Sequence, residues 1–144
     1  MKLTRTTTAR IVIASLLTAC ITALFSPGVA YADARVCRGG VVEDTCLDVR
    51  GIGLHIDLMK ADVTIGAGKT LYGHFQFHVN GIAVATTANT TYTAPWYGAK
   101  TFDSGWKNIN KRFANNSQAC AVFRYQTGGL WYTFPSKTCA TIHS

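Results

Sequence analysis

Two apolar runs joined by Asn80-Gly81 constrain the fold of this chain more than any other feature. From Leu71 to Val79 apolar and polar residues alternate, and Ile82-Ala83-Val84-Ala85 follows the Asn-Gly pair. A period of two is typical of a half-buried strand. Asn and Gly both tolerate the positive φ angles of a type I′ turn, so this stretch predicts a β-hairpin.

Strand signals recur along the rest of the chain. Alternation from Ile52 to Leu58 predicts one strand, and Thr86 to Asn116 predicts long loops with one or two short strands, leaving a short helix over Trp106 to Phe113 open. The other predicted strands are Val41–Val49, Ala119–Gln126, Leu130–Phe134 and Thr138–Ile142, with turns at Thr127-Gly128-Gly129 and Pro135-Ser136. About seven short strands predict an all-β fold, a small antiparallel β-sandwich or a barrel-like domain.

The N-terminal segment has the pattern of a secretion signal. Basic residues precede an apolar run from Ile11 to Phe25, and Ala30-Tyr31-Ala32 forms an A-x-A cleavage pattern. We therefore expect a signal peptide over residues 1–32 and a single secreted β-sandwich domain over 33–144. Cys20 follows Leu17-Thr18-Ala19, so anchoring through a lipid on Cys20 is the alternative to release. After residue 32 no segment is apolar enough to predict a membrane span.

Four cysteines remain after residue 32. An even number in a small exported domain predicts two disulfides. Four cysteines allow three pairings; we expect Cys37 with Cys46 and Cys120 with Cys139, because each pair brackets a plausible hairpin or loop. The spacing contains no C-x2-C unit, so neither a metal site nor another cofactor is predicted.

Charge and catalytic motifs favour binding over chemistry. Residues 33–144 carry eleven Lys and Arg against seven Asp and Glu, with no basic run longer than Lys111-Arg112. This balance predicts solubility, with weak attraction to polyanions such as cell-wall polymers or nucleic acid as the alternative, and no specific nucleic-acid partner. Asp103-Ser104-Gly105 resembles the serine neighbourhood of trypsin-like proteases, but a turn is the expected structure because nothing places a partner His and Asp.

The histidines and carboxylates form no recognisable catalytic arrangement in the sequence. His74 and His78 lie four residues apart on one strand face, about 13 Å, which is too far to share a metal. His55, on the polar face of another strand, is a candidate to lie across from one of them. The alternative function is a small secreted hydrolase or ribonuclease-like toxin, with Glu43, His74 or His143, and Arg124 as candidate catalytic groups. A deep pocket with at least two convergent titratable groups would favour that alternative.

The loop-rich middle carries the aromatic residues that suggest a binding site. They are Tyr92, Trp96, Tyr97, Phe102, Trp106 and Phe113. Exposed aromatic residues dominate the energetics of interfaces, whereas buried ones cap the ends of a small core. We predict Trp96, Tyr97 and Trp106 as binding residues for an extracellular protein or a surface glycan. Of Trp131 and Tyr132, adjacent residues, one is expected to face outward.

The layout of the mature chain resembles a loose class of small exported bacterial β-sandwich proteins. The residues that carry the resemblance are Gly73-His74-Phe75-Gln76-Phe77, Ser117-Gln118-Ala119-Cys120-Ala121-Val122-Phe123 and Cys139-Ala140-Thr141-Ile142. Within this class the chain is similar to the small adaptor subunit of umbrella toxin particles, which joins a large toxin chain to lectin-bearing subunits. The resemblance implies an adaptor role in a toxin complex and a flexible N-terminal arm, for which only Asp33 to Val36 precede Cys37.

Overall fold

The computed structural model describes residues 33–40 and 42–144. Residues 1–32, with the predicted signal peptide and Cys20, lie outside the described residues, as does Val41. In the described part the chain forms ten strands: β1 Ala34–Gly39, β2 Asp44–Ile52, β3 His55–Ile65, β4 Thr70–Val79, β5 Ile82–Thr86, β6 Thr90–Thr93, β7 Lys100–Asp103, β8 Lys107–Arg112, β9 Ser117–Thr127 and β10 Leu130–Ile142. Within those residues there is no helix long and apolar enough to cross a membrane.

Two antiparallel five-stranded sheets confirm the predicted β-sandwich. Sheet A has the order β1-β2-β3, with β7 and β8 both pairing with β3 on its far side. Sheet B has the order β10-β9-β4, with β5 and β6 both pairing with β4. All pairs are antiparallel. This is the arrangement expected when short connections join consecutive strands.

The core lies between the inward faces of the two sheets. Phe75, Phe77 and Phe123 from sheet B and Leu47 and Met59 from sheet A are fully buried in it. Such burial is the main favourable term in folding a domain of this size. A Cβ at position 73 would collide with the Arg124 carbonyl oxygen and with the Phe123 ring, so Gly73 lets these two strands pack closely.

Both predicted disulfides form. Cys37 and Cys46 lie directly opposite each other on β1 and β2, and their sulfur atoms are bonded. Cys120 and Cys139 do the same on β9 and β10. Each bridge therefore ties two neighbouring strands of one sheet, and the two bridges together indicate that the protein folds in an oxidising compartment.

The hairpin predicted at Asn80-Gly81 is confirmed. Val79 pairs with Ile82, and Asn80 and Gly81 have φ angles of 51° and 82°, as a type I′ turn requires. The turn at Thr127-Gly128-Gly129 is also confirmed, because Thr127 pairs with Leu130 across two glycines of positive φ.

The continuous strand predicted from Ile52 to Leu58 is wrong. Ile52 ends β2 and pairs with His55, the first residue of β3, so the chain reverses at Gly53-Leu54. Gly53 has a φ of 56°, a left-handed conformation that favours glycine. Of the predicted strand Val41–Val49, the residues from Asp44 onward belong to β2, Asp44–Ile52, while Val42 and Glu43 precede it.

Two further predictions fail near the C-terminal half. The turn at Pro135-Ser136 is absent, because Phe134 and Thr138 both pair with β9 and the residues between them form an irregularity within β10. Thr45 of sheet A contacts β10 on both sides of this irregularity. Its hydroxyl donates to the Phe134 carbonyl oxygen at 3.1 Å, and its backbone carbonyl oxygen accepts from the Thr138 hydroxyl at 2.8 Å. The helix left open over Trp106 to Phe113 is instead strand β8, which pairs with β3.

Candidate functional site

The connection between β6 and β7 presents two aromatic side chains to solvent. Trp96 and Tyr97 are the central residues of a turn in which the Gly98 N–H donates to the Pro95 carbonyl oxygen at 3.4 Å. Trp96 is 85% exposed and Tyr97 is 76% exposed. Their ring centroids lie 5.7 Å apart with ring planes at 87°. We call Pro95 to Gly98 the aromatic turn.

Backbone hydrogen bonds hold the aromatic turn on the neighbouring β3–β4 connection. The Gly68 N–H donates to the Pro95 carbonyl oxygen at 2.9 Å, and the Ala94 N–H donates to the Lys69 carbonyl oxygen at 2.9 Å. Ala94 is buried in the core directly before the turn. The exposed rings therefore project from a backbone that is fixed on both sides, and little backbone entropy remains to be lost when they bind.

Trp106 reaches the surface because the pairing with β3 is interrupted between β7 and β8. Opposite the gap, the Ala61 carbonyl oxygen accepts from the Ser104 N–H at 2.8 Å, and the Ala61 N–H donates to the Ser104 hydroxyl at 2.9 Å. Gly105 has a φ of 63° and donates its N–H to the Asp103 carboxylate at 2.8 Å. The chain does not reverse at Asp103-Ser104-Gly105, because Asp103 and Lys107 both pair with β3, so the turn predicted there is instead an interruption of this pairing. The serine hydroxyl is part of the sheet's hydrogen bonding.

Trp106 lies against cations on the outer face of sheet A. The guanidinium carbon of Arg50 is 4.3 Å from the ring centroid, and Nζ of Lys60 is 5.6 Å from it. Both distances are in the range of cation–π attraction. Trp106 is 38% exposed and borders a cavity of about 240 Å³. The other residues that line this cavity are Asp33, Ala34, Arg35, Asp48, Val49 and Arg50.

The carboxylates beside Trp106 are neutralised by neighbouring cations. Arg35 donates to Asp48 at 2.7 Å and to Asp62 at 3.1 Å. The hydrogen bond with Asp48 raises the pKa of Arg35, while partial desolvation opposes the rise. Nζ of Lys60 lies 3.8 Å from the Asp48 carboxylate and 3.5 Å from that of Asp62. This geometry describes a structural ion-pair network more than a site with a free general base.

The predicted binding residues therefore lie at two places. Lys100, which follows the aromatic turn, pairs with Ile65, whereas Lys107, which follows Trp106, pairs with Met59. Six residues along β3 separate these positions by about 20 Å, since a strand rises about 3.3 Å per residue. Trp96 and Tyr97 form one exposed surface, and Trp106 belongs to another.

The remaining aromatic residues of this segment serve the core. Tyr92 packs with ring centroids 6.0 Å from Phe75, 5.4 Å from Phe102 and 5.2 Å from Phe123. Phe113 also packs against the core cluster. The predicted cluster of aromatic loops is thus divided between core packing and exposed surface.

The outer face of sheet B, which the sequence predicts as a solvated surface, carries polar and aromatic groups. His74 and His78 lie on this face of β4, and Nδ1 of His74 is 2.7 Å from the Asn89 side-chain oxygen. The Trp131 ring from β10 lies 4.8 Å from the His74 ring. Trp131 is thus on the outer face, while the Tyr132 ring packs 5.7 Å from Tyr125.

Of the candidate catalytic groups in the described residues, only His74 and Arg124 come together. His55 lies on β3 in sheet A, where its Nδ1 is 2.9 Å from the Asp57 carboxylate, so the expectation that it lies across a sheet from His74 or His78 is wrong. Glu43 forms an ion pair with Lys69 beside the connections of sheet A. Arg124 and His74 are neighbours on sheet B.

One group of potential metal ligands occurs in the described residues, formed by Cys37, Asp44 and Cys46. Because the two cysteine sulfurs are bonded to each other, neither is available as the thiolate that binds a metal. Comparison of the chain with family models, with curated proteins and with solved structures finds no match in any of the three.

Proposed function

We propose that this chain is a secreted, non-catalytic binding protein that engages another extracellular protein through the aromatic turn. The observation that carries the proposal is the exposure of Trp96 and Tyr97, at 85% and 76%, on a turn anchored by backbone hydrogen bonds. Large aromatic side chains are costly to leave in water, and Trp and Tyr are enriched among the residues that dominate interface energies.

The shape of the aromatic turn favours a protein pocket as its target. The two ring planes are nearly perpendicular, at 87°, so the pair forms a knob and not a flat platform. Sugar rings stack on flat aromatic faces, whereas a knob fills a concave apolar pocket, the usual setting of an interface hot spot. A surface glycan as the ligand of the turn is the alternative partner.

The proposal includes export and an adaptor role. Cleavage after Ala30-Tyr31-Ala32 would release a protein that begins at Asp33, and an intact-mass measurement of the secreted product checks this. A lipid-bearing Cys20 at the N-terminus would replace release with anchoring. An adaptor similar to that of umbrella toxin particles would join two partners. The flexible arm implied by that resemblance would have to differ from Ala34–Gly39, which forms strand β1.

The test is capture of partners from culture supernatant by the immobilised processed protein, with mass spectrometry of the bound proteins. Trp96→Ala and Tyr97→Ala should each weaken capture of the same partner at least about tenfold, the loss expected for interface hot spots. Ile82→Ala is the control, because Ile82 is also highly exposed, at 72%, but lies on β5. Equal capture by all three variants would contradict the proposal. So would a hydrolytic activity lost in a folded His74→Ala/His78→Ala double variant, which would favour the enzyme.

A further inference from the structure

Carboxylates are confined to one half of the sandwich. The chain has seven Asp and Glu residues, and all of them lie on the strands of sheet A or beside them: Asp33, Glu43, Asp44, Asp48, Asp57, Asp62 and Asp103. The five strands of sheet B contain none. Sheet B carries Arg124 and Lys137 as its fixed cations, together with His74 and His78.

The outer face of sheet B brings aromatic, amide and cationic side chains together. Across β4, β9 and β10, Tyr72 pairs with Gln126, which pairs with Trp131. Two residues further along β4, on the same face of the sheet, His74 pairs with Arg124. Neighbouring residues of one row in adjacent strands are about 4.8 Å apart, so these five side chains share one compact patch. We call Tyr72, His74, Arg124, Gln126 and Trp131 the Arg124 face.

Arg124 lies at the centre of this patch without a carboxylate partner among the described residues. The Nε atom of Arg124 is buried and makes no hydrogen bond within the described part of the chain. The rings of His74 and Trp131 start from the strands on either side of β9 and meet 4.8 Å apart, over the strand that carries Arg124. On sheet A, by contrast, Arg35 donates to two carboxylates. A partly buried guanidinium without an acid nearby favours an anionic group supplied by a ligand.

We propose that the Arg124 face binds an acidic polysaccharide, a glycan chain whose sugar units carry carboxylate or sulfate groups. Arg124 pairs with the acidic group, while Tyr72 and Trp131 offer apolar ring surface to the sugar rings. Gln126 and His74 supply hydrogen bonds to hydroxyls. Tyr72 and Trp131 are both partly exposed, at 44% and 36%, and a sheet face accommodates an extended chain.

Charge density distinguishes this ligand from a nucleic acid. A nucleic acid places one negative charge on every nucleotide, and its affinity grows with the number of phosphates neutralised. Sheet B supplies only Arg124 and Lys137 as fixed cations in its strands. A glycan with acidic groups separated by uncharged sugar units matches such a sparse set. The complete absence of carboxylates from sheet B leaves no repulsion to overcome.

The proposal is tested by calorimetric titration of the processed protein with defined polymers. The probes are polygalacturonate for carboxylates, dextran sulfate for sulfates, unmodified dextran, and a single-stranded oligonucleotide. We expect binding to one or both acidic polysaccharides with a log–log salt slope of about −1 to −2, because one or two cations take part. The two acidic probes show which acidic group the face recognises. No binding to either, equal binding to dextran, or tighter binding to the oligonucleotide would overturn the proposal.

Two variants distinguish specific binding at the Arg124 face from general electrostatic attraction between the protein and a polyanion. Arg124→Gln should weaken binding at least about tenfold, as loss of a charge-assisted bidentate contact does. Lys111→Gln on β8 of sheet A removes the same charge from an exposed position and should change binding less than about twofold, since exposed charges are screened. Equal losses in both variants would refute a specific site.

A second variant covers the case in which Arg124→Gln does not fold. Tyr72→Ala removes a partly exposed ring from the same face and should also weaken binding, by roughly fivefold or more given the value of aromatic contacts. Its thermal midpoint shows that the fold persists. Unchanged affinity in folded Tyr72→Ala would contradict the proposal. Trp96→Ala should leave polysaccharide binding intact, because the aromatic turn is a different surface.

Discussion

Replacing Trp96 and Trp106 by Ala should separate an exposed binding residue from a residue that supports the fold. Trp96 is 85% exposed, so of the roughly 250 Å² of a Trp side chain only about 40 Å² is removed from water, about 1 kcal/mol at roughly 25 cal/mol per Å². Trp106 is 38% exposed, which leaves about 150 Å² buried and about 4 kcal/mol by the same measure. Loss of the Arg50 contact adds roughly 0.5–1 kcal/mol to the cost at Trp106.

Urea and thermal unfolding under non-reducing conditions measure this difference. Since about 1 kcal/mol moves the midpoint of a domain of this size by roughly 4–8 °C, Trp96→Ala should lower it by no more than that, and Trp106→Ala by roughly four to five times as much. Phe123→Ala is the core reference, with an expected cost of about 3–5 kcal/mol. If Trp96→Ala destabilised the protein as much as Trp106→Ala, the turn would be part of the packing and the argument for it as a binding surface would be wrong.

Two further outcomes follow from individual hydrogen bonds and burial. Desolvation by burial raises the pKa of Tyr92, so the neutral phenol is favoured in the folded state. The free energy of unfolding should therefore fall as the pH rises above about 10, where the phenol of the unfolded chain ionises. Tyr92→Phe should flatten this decline, measured as unfolding midpoints against pH. Ser104→Ala removes the hydroxyl that accepts from the Ala61 N–H, and the unpaired amide should cost about 1–3 kcal/mol in urea unfolding, whereas Ser136→Ala, at a position with no such bond in the described residues, should cost much less.

The elements that the sequence predicted well are those whose signals are local. Asn80-Gly81 specifies its turn by the φ angles its residues tolerate, and the alternation on either side places the core face of β4. The cysteine pairs were predictable because each closes a short hairpin, with the partners 9 and 19 positions apart in the sequence. In these cases the residues that decide the structure are close together in the chain.

The failures occur where the pairing of two strands overrides the local pattern. Alternation ran unbroken from Ile52 to Leu58, but the chain reverses at Gly53 because β3 folds back to pair with β2. Pro135 has the signature of a turn, yet the residues on both sides of it keep their pairing with β9. In both cases the partner is the neighbouring strand in sequence, but the residues that pair across the two strands cannot be read from the alternation or from the proline alone.

The candidate binding surfaces could be predicted from the sequence even less well than the strands. Trp96, Tyr97 and Trp106 lie within eleven residues of sequence and were predicted as one set of binding residues. The strand positions that follow them, Lys100 and Lys107, pair with β3 about 20 Å apart along the sheet. The Arg124 face, in contrast, could not be predicted as a cluster, because Tyr72, Arg124 and Trp131 come from three strands that only the fold makes neighbours. Exposure and an anchored backbone support the aromatic turn, whereas the Arg124 face has a guanidinium without a carboxylate partner among the described residues, on a sheet whose strands carry no Asp or Glu. If the protein is an adaptor, the two surfaces together provide what such a role requires: a protruding knob for a protein pocket, and a separate sheet face for a ligand of different chemistry.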